Sequence, residues 1–193
     1  MLALKTYFVR EHVGLLKLHE AFDILDPESG EIVATAVEEA GPARKLLKLV
    51  VSKRMLPFKV VLRDVQERTL LVIERGFTFL RSRVRVLDPS GRLLGSFRQR
   101  LLTIGGRFDI LDADDRPVAE LKGNLIGWDF KFLDGDGREL GRVTKKWAGV
   151  GKELFTSADN YVVSLADGTD PKATGPLLLA AAISIDLVLK ESG

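Results

Sequence analysis

The chain of 193 residues carries 29 basic and 27 acidic residues, a formal net charge of +2, two histidines and no cysteine. Without thiols, disulfides, thiolate metal sites, cysteine catalysis and palmitoylation are excluded, and His12 and His19 leave little material for a metal site or a histidine-based triad. The charge is uneven: residues 1–40 sum to −5, residues 41–107 to +12 and residues 108–193 to −5, which points to an anionic partner.

Met1-Leu-Ala-Leu-Lys5 is too short for a secretory signal and offers no cleavage site, so the expected compartment is the cytoplasm. Tyr7–Arg10 alternates like a strand. From Phe22 onward a unit recurs: Phe22-Asp-Ile-Leu-Asp-Pro-Glu-Ser-Gly-Glu-Ile-Val-Ala34, then Val84-Arg-Val-Leu-Asp-Pro-Ser-Gly-Arg-Leu-Leu-Gly95. It returns at Phe108–Ala119 and Phe130–Gly141, with a looser copy at Val60–Val72. Each copy alternates apolar and polar positions, breaks at an Asp/Pro/Gly/Ser cluster and alternates again, the pattern of a β-hairpin with a short loop. Asp64, Asp88, Asp112 and Asp134 recur every 22–24 residues, about two strands and two turns. Between the first two copies, Gly41–Arg54 is a basic crossover or a short amphipathic helix.

Five hairpins make ten strands; Tyr7–Arg10 with Leu15–Leu18, or the segment Glu153–Leu165, supplies two more. As an open sheet they would leave two long edges, whereas closure into a barrel removes them. A barrel of ten to twelve strands has a lumen its own side chains do not fill. The chain's end supplies a filling. From Pro176 to Lys190 only Ser184 and Asp186 interrupt an apolar run, so a helix there is apolar all round and must be surrounded. Its apolar stretch falls short of the roughly twenty residues a bilayer crossing needs. The expected fold is therefore one domain over 1–193, α+β but mostly β: a closed antiparallel barrel enclosing a helix at about 176–190 that begins at Pro176.

Lys146-Trp-Ala-Gly-Val-Gly-Lys-Glu-Leu-Phe-Thr-Ser-Ala-Asp-Asn-Tyr161, followed by Ala181-Ala-Ile-Ser-Ile-Asp-Leu-Val-Leu-Lys-Glu191, resembles the phospholipid scramblases and the LURP-one-related proteins of the tubby-like superfamily. Tyr7-Phe-Val-Arg-Glu11 and Phe22-Asp-Ile-Leu-Asp26 fit the same pattern. The resemblance implies a twelve-stranded antiparallel barrel around a C-terminal hydrophobic helix, and a link to phospholipids. It also implies a calcium loop at Ser157–Gly168. The family pattern has acids at both ends of that loop; here Asp159 remains and Ser157 and Gly168 stand at the ends, too few oxygens for calcium. No metal and no cofactor is expected.

The candidate head-group site is the hairpin around Asp88-Pro-Ser-Gly91. Alternation puts Ser82, Val84 and Val86 on one face and Arg81, Arg83 and Arg85 on the other. With Leu87 opposite Arg92, Arg81 faces Arg98, Arg83 faces Ser96, and Arg100 extends the row. Five arginines on one face suit bidentate phosphate binding. The plain alternative is a solvated exterior whose arginines pair with acids of neighbouring strands. Asp134-Gly-Asp-Gly137 lacks the closing glutamate of a calcium loop and reads as a turn. Asp186 hydrogen-bonds a wall residue or lies near the barrel mouth; an ion or proton relay is the sharper alternative. Trp128 and Trp147, beside lysines, suit wall packing or a membrane interface. Gly105-Gly106 is a strand connection. These features favour a non-enzymatic module that binds anionic phospholipid head groups, phosphoinositide or phosphatidylserine, peripherally and reversibly. The alternative is a protein-interaction or structural module with no lipid role. Nucleic acid is disfavoured, because few aromatics stand among the arginines.

Overall fold

The computed structural model describes residues 3–12, 20–39, 55–78, 81–100, 106–124, 127–145 and 160–189. Among these, twelve strands and one helix follow in order: β1 (Thr6–Glu11), β2 (Ala21–Leu25), β3 (Ile32–Glu38), β4 (Phe58–Asp64), β5 (Thr69–Arg75), β6 (Arg83–Leu87), β7 (Leu93–Gln99), β8 (Arg107–Leu111), β9 (Pro117–Asn124), β10 (Asp129–Asp134), β11 (Glu139–Thr144), β12 (Tyr161–Leu165) and α1 (Pro171–Leu189). Each strand pairs antiparallel with the next, and β12 returns to β1 to close the barrel. The mostly β barrel around a C-terminal helix agrees with the sequence reading and with the resemblance. The eleventh and twelfth strands come from both places proposed for them. Tyr7–Arg10 gives β1, Glu153–Leu165 gives β12, and they pair with each other, Phe8 opposite Val162 and Val9 opposite Tyr161. Leu15–Leu18 and Gly41–Arg54 lie outside the described residues.

The repeated aspartates explain why the hairpins form. Asp64, Asp88, Asp112 and Asp134 each accept, through one carboxylate oxygen, the backbone N–H groups two and four residues on, at 2.8–3.0 Å. That double acceptance closes the loop, as an Asx turn does. In three of them the arginine four residues on returns its Nε to the same carboxylate: Arg68 at 2.7 Å, Arg92 and Arg116 at 3.0 Å. The residue before that arginine is left-handed in every case: Glu67, Gly91, Asp115 and Gly137, with φ between 61° and 84°. All five hairpins also shift register one step before the turn, at Leu25, Arg63, Leu87, Leu111 and Leu133. Such bulges add local twist, which closure requires.

Alternation sends Tyr7, Val9, Phe22, Ile24, Phe97, Phe108, Phe130 and Val143 inward, where they meet the helix. Residues 178–188 of α1 are buried without a break, as an all-round apolar helix demands. Small lumen residues make the room: a Cβ at Gly141 would collide with Leu178, and one at Gly95 would lie 3.4 Å from Leu177.

The helix starts earlier than expected. Asp170 caps it, its Oδ1 accepting the Lys172 N–H at 2.9 Å and its carbonyl the Thr174 N–H at 3.0 Å. Pro171 therefore takes the first-turn place assigned to Pro176, which lies inside the helix. The bond that Pro176 cannot make would fall on the carbonyl of the exposed Lys172, which water reaches. The added turn brings the helix to the length and apolarity of a membrane span, although most of that span is enclosed by the barrel.

Candidate functional site

In the β6–β7 hairpin, Ser82, Val84 and Val86 are buried and Arg81, Arg83 and Arg85 are exposed, as alternation predicts. The cross-strand register differs from expectation by two residues. Arg83, not Arg81, faces Arg98, and Arg85 faces Ser96. The cause is the three-residue loop Pro89-Ser90-Gly91 together with the bulge at Leu87, neither of which alternation reveals.

Four of the five arginines hold acids. Arg83 grips Asp115 and donates to Ser96 Oγ at 3.1 Å; Arg85 meets Glu74 at 3.0 Å. Arg98 and Arg100 share Asp109 at 3.3 and 2.5 Å, and Arg100 also reaches Glu120 at 3.5 Å. Arg81 makes no ion pair with a described residue. The plain alternative thus describes much of this face. Exposed pairs of this kind contribute only about 0–1 kcal/mol, so a phosphate can displace the carboxylate at small cost.

The register also assembles a group that runs across the hairpins. The Gln99 N–H bonds the Ser82 carbonyl at 2.9 Å, which sets Arg81 beside Arg100. The Arg100 N–H bonds the Arg107 carbonyl at 2.9 Å; Arg107 faces Lys122, Lys122 faces Lys131, and Lys131 faces Arg142. Six cations therefore stand side by side across β6 to β11, Arg81 and Arg100 just beyond the ends of β6 and β7. At about 4.8 Å per strand the row follows the wall for roughly 24 Å. Arg100 is paired as above, Lys131 meets Glu139 at 2.9 Å and Arg142 meets Asp129 at 2.8 Å. Arg81, Arg107 and Lys122 make no ion pair among the described residues. Like charges placed directly opposite each other are unfavourable, and this row repeats that arrangement five times. Arg107, Lys122, Lys131 and Arg142 were not singled out from sequence. The signal was in the alternation, where each occupies an outward position, but lining them up requires the register between hairpins.

The remaining candidates fall into place as wall and turn residues. Asp186 is buried near the helix end. Burial pushes the Tyr161 hydroxyl well above its ordinary value, and the negative charges of Asp186 and Glu11 push it further. Trp128 stacks on Tyr161 at 5.5 Å with Lys145 Nζ 4.5 Å over its ring, a packing role. His12 Nε2 and Arg10 Nη2 each lie 2.8 Å from Asp23. Burial raises the Asp23 carboxyl, but those two partners outweigh it and hold it below the usual range. Asp134-Gly-Asp-Gly137 is a hairpin turn. Gly106 precedes β8 with φ 80° and Gly168 sits in the turn before α1. Asp159, Ser157, His19, Trp147 and Gly105 lie outside the described residues. Among the described residues no three metal-capable side chains converge. A 390 Å³ cavity at the turn end is lined by Leu4, Tyr7, Ile32 and Val65, and its one cation, Arg68, is held by Asp64.

The sequence profile described as Scramblase matches residues 19–192. The chain is similar to altered inheritance rate of mitochondria protein 25 of Saccharomyces cerevisiae, 21% identical over 70% of this chain and 49% of that protein. It is also similar to a phospholipid scramblase family protein of Schizosaccharomyces pombe, 25% identical over 55% of this chain and 30% of that protein. The chain thus spans half or less of the length of these curated relatives. No solved structure matches it. With the profile covering nearly the whole barrel and its helix, the chain belongs to the scramblase family.

Proposed function

We propose that this domain binds anionic phospholipid head groups reversibly and without chemical turnover, peripherally at a cytoplasmic membrane face. The observation that carries the reading is the row Arg81–Arg100–Arg107–Lys122–Lys131–Arg142, in which three cations have no ion pair among the described residues. Arginine offers phosphate a fork of donors and lysine a compact charge. The original candidates Arg83, Arg85 and Arg98 flank the row and would join it only by releasing their carboxylates. Family membership supports a phospholipid-related role.

The test is co-sedimentation with neutral, phosphatidylserine and phosphoinositide vesicles at low and physiological salt, with calcium and with chelator. Binding to anionic vesicles alone, weakened by salt and insensitive to calcium, is the expected result. The pairing of Arg83, Arg85, Arg98 and Arg100 with the barrel's own acids favours a second reading, a structural or protein-interaction module without a lipid role. Absence of binding to every vesicle would establish that reading over the first.

A further inference from the structure

One end of the barrel is strongly acidic, and the opposite end has a basic sector between β5 and β8. Six short connections meet at one end: residues 26–31, 64–68, 88–92, 112–116, 134–138 and 166–170. Together they hold thirteen acidic and four basic residues, a net −9 in a chain of net +2. Three of those four arginines are committed to aspartates of their own loops. The opposite rim between β5 and β8 presents Phe77, Arg81, Arg100 and Arg107 on consecutive strand ends. Phe77 is 56% exposed, the one large aromatic so placed among the described residues. The exposed aliphatics Ile32 and Val65 lie at the acidic end beside Glu31 and Asp64.

These facts fix an orientation. The field of an anionic bilayer decays over a Debye length of about 8 Å at physiological salt. A seven-residue strand is about 23 Å long, so with the rim down the acidic turns stand beyond that field. With the barrel on its side, Asp112, Asp114 and Asp136 would enter the field together with Arg107 and Lys122, and repulsion would offset attraction. We propose that the barrel docks end-on, with the rim of Phe77, Arg81, Arg100 and Arg107 at head-group level and the acidic turns pointing away. The inference rests on the head-group reading and adds to it the docking residues and the pose. The arginines meet phosphate oxygens, and the Phe77 ring enters the boundary between head groups and acyl chains.

The absence of native cysteine allows single labels to be placed cleanly. Gly76→Cys at the rim and Gly135→Cys in the β10–β11 turn both point into open space. Each is labelled with an environment-sensitive dye and bound to phosphatidylserine vesicles containing brominated lipid. Quenching of the Gly76 label with the Gly135 label unaffected is expected; equal quenching of both, or stronger quenching of the turn label, overturns the pose. Co-sedimentation of the same labelled proteins separates the two ideas: failure to bind any vesicle sinks the head-group reading itself. Phe77→Ser should lower vesicle affinity about fivefold and Val65→Ser should leave it unchanged; the reverse order would also overturn the proposal.

Discussion

The acidic turns and the cationic row use the same kinds of charged residue in opposite ways. In the turns, each of the four repeated aspartates is held by its own loop: Asp112 takes the N–H groups of Asp114 and Arg116 and then the Arg116 side chain. In the row, cation faces cation, and Arg107 and Lys122 have no ion pair among the described residues. The turn charges are spent on folding, since they close hairpins and pin register. Arg107 and Lys122 form no such bond among the described residues, and facing each other they work slightly against their own strands. A local rule broken along a whole row, and left among the described residues without ion pairs at Arg107 and Lys122, is where function is to be sought. The contrast predicts that the regions separate under mutation: damage to the row should abolish binding and spare stability, while damage to the turns should do the reverse.

The largest effect expected is from Arg107→Glu combined with Lys122→Glu. Each cation near an anionic surface contributes about 1 kcal/mol, and reversal counts twice, so vesicle affinity should fall by more than about 100-fold. Thermal unfolding should stay within about 0.5 kcal/mol of the parent, because one facing like-charge pair replaces another. A large loss of stability would break the contrast, because the row would then be structural. Lys122→Gln alone should weaken binding about fivefold. Its control is the double change Arg85→Gln with Glu74→Gln, which removes an intact ion pair at no cost in net charge and should leave binding unchanged.

Much of this architecture was legible in the sequence, for reasons that also explain what was not. Period-two alternation broken by aspartate loops gave the hairpins, and an apolar run with no polar face gave the enclosed helix. The helix start was misread because two prolines fit a first turn, and only Asp170 as a cap distinguishes Pro171 from Pro176. The arginine face was legible as composition and not as geometry. Facing residues depend on loop length and bulges, and the β6–β7 loop together with the bulge at Leu87 moved Arg98 from Arg81 to Arg83. The row was harder still, because its six members come from six strands and share no spacing along the chain.

The turns can be probed by acid. Backbone hydrogen bonding from Arg116, followed by its guanidinium, holds the Asp112 carboxyl below its ordinary 3.8. A lowered folded value means that the ionised form stabilises the fold. That contribution is complete above the unfolded value and is lost as pH falls through the lower, folded one. Asp112→Asn should therefore lower the melting temperature at pH 7 and flatten its decline below pH 4, with vesicle binding unaffected. A parallel acid limb in the variant would mean that the turn carboxylates do not carry this part of the stability.

The smallest effect distinguishes one turn from its repeats. Gly91 and Gly137 occupy the left-handed position with φ 84° and 80°, and Asp115 tolerates it at 64°. Glu67 holds the same place at 61° although glutamate has a Cβ and no short side chain with which to compensate. Glu67→Gly should relieve that strain by about 1 kcal/mol, less the entropy that glycine adds to the unfolded chain, for a net gain of roughly 0.5 kcal/mol. Gly137→Ala should cost about 1 kcal/mol for the opposite reason. Both changes lie at the acidic end, so neither should move vesicle affinity. If Glu67→Gly raised the midpoint of urea unfolding while Lys122→Gln did not alter it, stability would be shown to depend on the turns and not on the row.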